Sequence, residues 1–246
     1  MIIIDNVTKK YGDFTAIEGL SFEVPEGSIY GLVGYNGAGK TTLLKSIAGV
    51  YRINSGSITI DGKDTFKEPQ IRQRMFYVPD DIYFEPFSTI EKMGRFYSGY
   101  FPCFSFETLD KLCNVFGLDK KAKLNSFSKG MQRQAEMILG MSTMPEFLLL
   151  DESFDGLDPQ KRNLMNSMLV DYVAEKNCSV IISSHNLHEI SDICDHVALI
   201  NGKSIAFDCS VDDISADRCK FRLVFSEQKE ISDFSDFNIK KFKADG

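Results

Sequence analysis

The chain has 246 residues, enough for one large or two small domains with a well-buried core. Its 35 acidic residues outnumber 28 basic ones, and the net charge of −7 argues against broad electrostatic binding to nucleic acid. Apolar runs such as residues 147–150 are far too short to span a bilayer, and the first five residues lack the charged start and length of a signal peptide. We therefore expect a cytoplasmic protein.

Short β-type runs come first along the chain. Residues 2–4, 22–24 and 57–60 are rich in β-branched and aromatic side chains, and turn signals at 54–56 and 61–62 flank the last run. This spacing predicts an antiparallel β region at the N-terminal end.

A complete phosphate-binding loop lies within this β region. Residues 34–42 read Gly-Tyr-Asn-Gly-Ala-Gly-Lys-Thr-Thr and fit the pattern G-x-x-x-x-G-K-[ST]. A predicted strand at 28–33 precedes the loop, and the apolar spacing of 40–48 predicts a helix after it. A glycine-rich turn with a chance lysine is the alternative, but the fixed residues and both flanking elements agree with nucleotide binding.

Each part of the loop has an expected role. Backbone N–H groups of the turn converge on phosphate oxygens, and the following helix points its partly positive end at the same anion. Lys40 would bridge the β- and γ-phosphates of the nucleotide, and Thr41 would offer its hydroxyl to Mg²⁺. The expected nucleotide-binding residues of the loop are Gly34, Asn36, Gly37, Ala38, Gly39, Lys40, Thr41 and Thr42.

The middle of the chain has a helical pattern from about residue 89 to 141. Residues 106–116, for example, carry apolar or aromatic side chains at helical spacing. We place a helical insertion at about residues 82–141.

Two buried-strand runs follow the insertion. Residues 147–150 and 179–182 are apolar, and the helical stretch at 160–176 between them gives the rhythm of a parallel βαβ unit. The predicted fold is therefore α/β: a phosphate-loop NTPase core with a parallel sheet, an N-terminal antiparallel β subdomain and an inserted α-helical subdomain. We expect this domain to cover residues 1–208 and a small C-terminal appendage to cover 209–246.

Two carboxylates follow the first of these strands directly. Asp151 is suited to hold Mg²⁺ through water, and Glu152 is suited to polarise the water that attacks the γ-phosphate. The alternative is a strand end capped by solvated acids, which is common in proteins.

The chain resembles the ABC-type ATPases, the nucleotide-binding subunits of ATP-binding cassette systems, over roughly residues 1–208. Residues 127–132 resemble the family signature Leu-Ser-Gly-Gly-Gln, with Ser128 and Gly130 kept. Further similarities are Tyr11 at the place of an adenine-stacking aromatic residue, 77–79 before the Q-loop, 155–159 as the D-loop and 183–185 with the switch histidine.

The resemblance implies a paired mechanism. Ser128 can begin a helix whose N-terminal amides bind a γ-phosphate, and the family implies that this phosphate lies on the loop of a second subunit. Two ATP molecules would then be sandwiched between Lys40 of one chain and Ser128 of the other, in a homodimer or in a heterodimer with a homologous ATPase. His185 is implied to contact the γ-phosphate during hydrolysis.

One position departs from the family pattern near the metal. The family usually has glutamine where this chain has Asp80, directly after Pro79. A carboxylate can still ligate Mg²⁺ but cannot donate a hydrogen bond as an amide does. We keep Asp80 as a candidate metal ligand and expect Asp80→Gln to retain ATP binding but to change the Mg²⁺ dependence or the turnover.

The resemblance implies the ATPase subunit of a transporter that exports a small molecule, drug or peptide through a separate membrane-spanning permease. Such a subunit binds peripherally to the cytoplasmic face of the membrane. The aromatic stretch at 82–104 is the candidate docking surface, or else the buried face of the insertion. The alternatives are a soluble ABC ATPase that acts on ribosomes or DNA, and a phosphate-loop kinase acting on a metabolite.

Overall fold

The computed structural model describes residues 1–211 and 213, without the side chains of 188 and 189. The strands are β1 (Ile2–Tyr11), β2 (Phe14–Val24), β3 (Ile29–Val33), β4 (Ser55–Ile60), β5 (Lys63–Asp64), β6 (Met75–Val78), β7 (Phe147–Asp151), β8 (Ser179–Ser184), β9 (His196–Asn201) and β10 (Ser204–Ser210). The helices are α1 (Lys40–Ile47), α2 (Pro69–Arg72), α3 (Ile90–Ser98), α4 (Phe106–Phe116), α5 (Lys129–Ser142), α6 (Pro159–Lys176) and α7 (Leu187–Ile190), with a 3₁₀ turn at Leu124–Ser126. None of the helices in these described ranges is both long and apolar enough to cross a membrane.

The described strands form two sheets. One has the order β2-β1-β4-β5 and is antiparallel throughout. The other has the order β10-β9-β3-β8-β7-β6, and it is parallel except for β10, which pairs antiparallel with β9. The predicted fold class, a parallel core with an antiparallel β subdomain and a helical insertion, is confirmed.

Alternating side chains of the parallel strands enter two separate cores. Leu148 and Leu150 of β7 pack in one core with apolar residues of α3, α4, α5 and α6. Leu149 points to the opposite face, where α1 and the antiparallel sheet bury their apolar residues. Because both faces of the sheet are covered, β7 and β8 are buried along their whole lengths. Helices α1 and α5 therefore lie on opposite faces of the sheet.

The parallel strands bring their carboxyl ends to one edge of the sheet. Strand β3 leads into the phosphate loop, β7 ends at Asp151, β8 ends at Ser184, and β6 is followed by Pro79 and Asp80. In open parallel sheets this edge is where ligands bind. The topology thus gathers segments that are far apart in sequence.

Several elements differ from their predicted bounds. Strand β1 runs to Tyr11 rather than ending near residue 4. Strand β10 continues to Ser210, because it pairs with β9 across the predicted domain boundary at 208. The hairpin of β9 and β10 has no counterpart in the sequence prediction, and most of the appendage predicted at 209–246 lies outside the described residues.

Candidate nucleotide site

Two glycines of the phosphate loop are required by close packing. A Cβ on Gly39, whose φ is 105°, would lie 2.4 Å from Ile17 Cγ2 and 2.9 Å from the Ala16 carbonyl oxygen. A Cβ on Gly34 would lie 2.9 Å from the Ile200 carbonyl oxygen. Both approaches are closer than side-chain carbons tolerate, so glycine at these positions lets the loop pack against its neighbours.

The start of α1 is built to receive an anion. Gly39 is the N-cap, so no side chain caps the helix, and its first turn contains no acidic residue. The N–H groups at the start of a helix have no partner inside the helix, and they carry part of the positive end of its dipole. Gly37, with a φ of 85° and no atom near its would-be Cβ, leaves the mouth of the loop open. The loop therefore fits a phosphate group.

Lys40 is almost fully buried behind the loop. Its Nζ donates hydrogen bonds to the carbonyl oxygens of Gly34, at 2.6 Å, and Tyr35, at 3.3 Å. The same nitrogen lies 3.0 Å from Glu152 Oε1 in an ion pair whose side chains are 5% and 10% exposed. The lysine predicted to bind phosphate is thus held by the carboxylate predicted to activate water.

Glu152 is the centre of a charged cluster. Its Oε2 lies 3.0 Å from the ring atom Nδ1 of His185 and accepts a hydrogen bond from the backbone N–H of His185 at 3.3 Å. Burial acts to raise the pKa of Glu152, but hydrogen bonds and charges from Lys40 and His185 outweigh burial and lower the pKa. Glu152 also has a φ of 47°, a left-handed conformation that a non-glycine residue adopts only when its surroundings impose it. The cluster thus holds an ionised carboxylate at the end of β7.

Asp151 is fully buried and has hydroxyl partners on both oxygens. Ser183 Oγ donates to Oδ1 at 2.7 Å, and the Tyr77 hydroxyl donates to Oδ2 at 2.9 Å. Ser183 Oγ also accepts the Glu152 N–H at 3.0 Å, so one hydroxyl orients both acidic residues. No cation pairs with Asp151 among the contacts of the described residues, and buried carboxylates are commonly paired or bound to a metal. The remaining lone pairs of Asp151 suit a hydrated Mg²⁺.

Asp80 contacts the helical insertion. Its Oδ1 lies 3.3 Å from Arg133 Nη2 on α5, and Arg133 Nη1 donates to the Pro79 carbonyl oxygen at 3.2 Å. The Asp80 side chain is 58% exposed. The predicted role of Asp80 as a metal ligand stays a prediction, with an ion pair to the insertion that the sequence did not indicate.

Tyr11 closes β1 as an exposed ring. It packs edge-to-face on Tyr51 at 5.9 Å between ring centroids, and Lys9 Nζ lies 4.9 Å from the Tyr11 centroid. An exposed aromatic face suits stacking of a base. Contact with adenine stays a prediction, and Tyr51 is a neighbour that the sequence pattern missed.

The signature segment begins α5, as predicted. Ser128 is the N-cap, and its Oγ accepts the Met131 N–H at 3.2 Å. A Cβ on Gly130 would lie 3.2 Å from the Gly156 carbonyl oxygen, so glycine allows the signature to approach the segment at 155–159 closely. These two segments line a cleft of about 510 Å³.

The predicted residues therefore fall into two groups. Lys40, Asp151, Glu152 and His185 meet at the carboxyl edge of the sheet. Ser128 and Gly130 begin a helix that packs on the opposite face from α1. The sequence assigned no role to Tyr77, Ser183 or Arg133. Tyr77 and Ser183 are the penultimate residues of β6 and β8, so their position near the same edge of the sheet was a usable signal.

The comparisons with known proteins agree on one family. The sequence profile of the family described as "ABC transporter" matches residues 17–155. The linearmycin resistance ATP-binding protein LnrL of Bacillus subtilis is 32% identical over 219 residues, which cover 86% of this chain and 70% of that protein.

A second relative and a solved structure extend the similarity. The Nod factor export ATP-binding protein I of Burkholderia orbicola is 34% identical over 215 residues, covering 82% of this chain and 68% of that protein. A structure described as the ATP binding subunit of an ABC transporter superposes with a TM-score of 0.80 at 24% identity, covering 88% of this chain and 92% of that one. This last similarity concerns the fold.

Proposed function

Because the chain belongs to the ABC transporter family of ATP-binding proteins and is an ATPase of that family, we propose that it energises export through a separate membrane-spanning permease. Two relatives, named for linearmycin resistance and Nod factor export, support the outward direction. A small molecule, drug or peptide is the proposed cargo. The ATPase subunit would bind the permease at the cytoplasmic face of the membrane, where ATP is available.

The observation that carries the proposal is the separation of two half-sites. Lys40 lies behind a phosphate loop on one face of the sheet, whereas Ser128 begins α5 on the other face, exposed to solvent. A phosphate held by the loop of one chain can meet the signature of a second chain in a head-to-tail pair. The partner copy is either the same chain or a homologous ATPase.

The ion pair between Lys40 and Glu152 can act as a switch between the nucleotide-free and the ATP-bound chain. When ATP enters, we expect Lys40 to exchange Glu152 for phosphate oxygens, because the carboxylate and the phosphate are two anions that compete for one ammonium group. Glu152 then accepts a proton from the attacking water, and His185 donates to the γ-phosphate. Hydrolysis removes the phosphate bridge between the chains, so the pair opens as rigid bodies.

Mg²⁺ fits the acidic edge of this site. Thr41 and Asp151 would hold the ion, with Asp80 as a further candidate ligand. When bound, Mg²⁺ neutralises charge on the β- and γ-phosphate oxygens. Ser183 and Tyr77 keep the Asp151 carboxylate oriented toward that role.

A trapped variant tests the proposal. Glu152→Gln keeps the shape of the side chain but removes the proton acceptor, so with ATP and Mg²⁺ it should hold the closed pair. We would purify this variant from native membranes in detergent and identify co-purifying proteins by mass spectrometry. Lys40→Ala combined with Glu152→Gln is the control, because it should not retain ATP.

The outcome separates the transporter from its alternative. Recovery of a multi-spanning membrane protein with Glu152→Gln, and less with the control, supports the proposal and identifies the chain that holds the cargo site. Recovery of only ribosomal or DNA-associated proteins would overturn it and favour a soluble ABC ATPase.

A further inference from the structure

Two tyrosines and two lysines lie together where β1 ends beside helix α1. The ring of Tyr51 meets that of Tyr11 edge-to-face, with 5.9 Å between the centroids and 85° between the planes. Lys9 Nζ lies 4.9 Å from the Tyr11 centroid and 5.9 Å from the Tyr51 centroid, and Lys45 Nζ lies 5.6 Å from the Tyr51 centroid. The four side chains therefore form one connected group of rings and cations, which we call the tyrosine cluster.

The backbone next to Tyr51 is tied to both neighbouring elements. The Tyr51 N–H donates to the Lys45 carbonyl oxygen, close to the end of α1, at 3.1 Å. On the other side, Lys9 Nζ on β1 donates to the Arg52 carbonyl oxygen at 2.9 Å. Residues 51 and 52 thus connect the helix of the phosphate loop to the strand that ends at Tyr11.

The tyrosine cluster also carries two positive charges. Neither Lys9 nor Lys45 forms an ion pair within the part of the chain that the structure describes. The Tyr11 ring is 42% exposed, so it keeps free surface beside these cations. A ligand that combines a flat aromatic group with negative charge fits this combination.

We propose that Tyr51 and Lys9 are positioning residues for the base of the nucleotide, because they hold the Tyr11 ring at a fixed angle and at a fixed distance from the phosphate loop. The inference deepens the ATP site of the proposed function and rests on it for the identity of the ligand. A ring that is already held by an edge-to-face partner and a cation loses less freedom when a base stacks on it. Tyr51 and Lys9 therefore strengthen the contact with the base through Tyr11.

A merely structural role for Tyr51 would have a different signature. If Tyr51 only supported the end of α1, replacing it would disturb the phosphate loop and weaken every phosphate ligand equally. If Tyr51 positions Tyr11, replacing it weakens only those ligands that carry a base. A nucleotide and the same molecule without its base therefore separate the two roles.

Calorimetric titration of the purified full chain with ATP and with ribose triphosphate makes this comparison. The two ligands share the ribose and the phosphates, and EDTA removes the Mg²⁺ that turnover needs. We define the base ratio as the dissociation constant for ribose triphosphate divided by that for ATP. It is measured for the wild type and for Tyr11→Ala, Tyr51→Leu, Tyr51→Phe, Lys9→Met and Lys10→Met.

The tyrosine variants should separate the ring from the rest of the side chain. The wild-type base ratio should be about tenfold or more, which is typical of a base stacked on an aromatic side chain, and Tyr11→Ala should remove most of it. Tyr51→Leu should lower the base ratio about fivefold and leave the dissociation constant for ribose triphosphate within about twofold of the wild type. Tyr51→Phe keeps the ring and should retain the base ratio.

The lysine variants test the cation over the ring. Lys9→Met should lower the base ratio about twofold, because it removes the cation that lies over Tyr11. Lys10→Met removes the same charge from the next residue and should retain the ratio. Lys10 is exposed and takes part in none of the lysine–ring contacts of the described residues, so it is the matched control.

Three results overturn the inference. These are an unchanged base ratio in Tyr51→Leu, equal weakening of both ligands in that variant, and loss of the base ratio in Tyr51→Phe. The measurement needs neither a permease nor a second chain, so any of these results leaves the proposed export intact. A base ratio that depends on Tyr51, together with recovery of only ribosomal or DNA-associated proteins in the co-purification, would instead overturn export and leave the tyrosine cluster in place.

Discussion

Glu152 and Glu136 are both nearly buried, but the structure treats them in opposite ways. Glu152 is 9% exposed and has Lys40 and His185 as partners, which lower its pKa against the effect of burial. Glu136 is 6% exposed and has only a long hydrogen bond from Tyr97, so burial raises its pKa to about 7. One carboxylate has its cation within the chain, and the other lacks one among the described residues.

The difference indicates how each region works. In the Glu152 region the carboxylate already has Lys40 and His185 as partners before a ligand arrives. Binding of ATP must therefore exchange one partner of Lys40 for another. In the Glu136 region, Oε2 is buried without a hydrogen-bond partner among the described residues, so burial favours the protonated form of the side chain. The first arrangement suits a chemical switch, and the second makes the stability of the fold depend on the protonation of Glu136.

Breaking the ion pair between Lys40 and Glu152 should have the largest effect on stability. Lys40→Ala leaves Glu152 buried without its main cation, so we expect the free energy of unfolding to fall by about 3 to 5 kcal/mol in the absence of nucleotide. Adding Glu152→Gln to Lys40→Ala should recover much of this loss, because the unpaired charge is then gone. Chemical denaturation of the three proteins measures the effect, and equal stability of the single and double variants would contradict it.

Removing the charge at the other glutamate should have a pH-dependent effect. The pKa of Glu136 is higher in the folded chain, about 7, than its ordinary value of 4.5, so the folded state binds more protons between these values. Wild-type stability should therefore fall as pH rises through this window, and Glu136→Gln should remove that fall. The difference between the two pKa values corresponds to a free energy of unfolding that is roughly 3 kcal/mol higher for Glu136→Gln than for the wild type above pH 7.

Thermal denaturation from pH 4 to 8 measures this difference. Glu107→Gln is the matched control, since an exposed glutamate should give a curve parallel to the wild type. The interpretation fails if wild type and Glu136→Gln remain parallel across the window.

Hydroxyl groups around Asp151 should have intermediate effects. Ser183→Ala removes a donor to Asp151 and the acceptor of the Glu152 N–H, and we expect a loss of about 2 kcal/mol. Tyr77→Phe removes one donor to the same carboxylate and should cost about 1 kcal/mol. Urea denaturation compares the two variants, and a larger loss for Tyr77→Phe would reverse the assigned importance of the two hydroxyls.

The residues of the Glu152 region could be identified from the sequence because their signals are local. The phosphate loop has fixed residues in a strand-loop-helix context, and Asp151 and Glu152 directly follow a fully apolar strand. Ser128 was predicted as a helix cap from its residue type and position, and the structure confirms the cap.

The Glu136 region was not predictable in the same way. Its carboxylate lies within a helix between residues of mixed polarity, and only the packing of α3 and β6 around α5 makes it a buried acid in an aromatic cleft. The pairing of Asp80 with Arg133 likewise joins residues 53 positions apart. Such contacts depend on tertiary packing, which no spacing rule encodes.

Asp80 offers the smallest and most discriminating test of how the two regions communicate. The Asp80 side chain is 58% exposed, and Arg133, which is 11% exposed, keeps its hydrogen bond to the Pro79 carbonyl oxygen, so replacing Asp80 should cost less than about 1 kcal/mol of stability. The consequence for Mg²⁺ is separate: if Asp80 contributes to the metal, Asp80→Gln should raise the Mg²⁺ concentration for half-maximal ATPase activity by about threefold, since one carboxylate is lost.

Arg133→Gln completes this experiment, because it removes the competitor for the same carboxylate. A ligand role for Asp80 predicts that Arg133→Gln lowers the half-maximal Mg²⁺ concentration while Asp80→Gln raises it. A purely mechanical ion pair predicts that both variants change turnover equally and leave the Mg²⁺ dependence of the wild type in place. Measuring ATPase rates across a Mg²⁺ titration therefore decides whether Asp80 serves the metal or only joins the catalytic edge to α5, and opposite shifts in the two variants are the outcome that we expect.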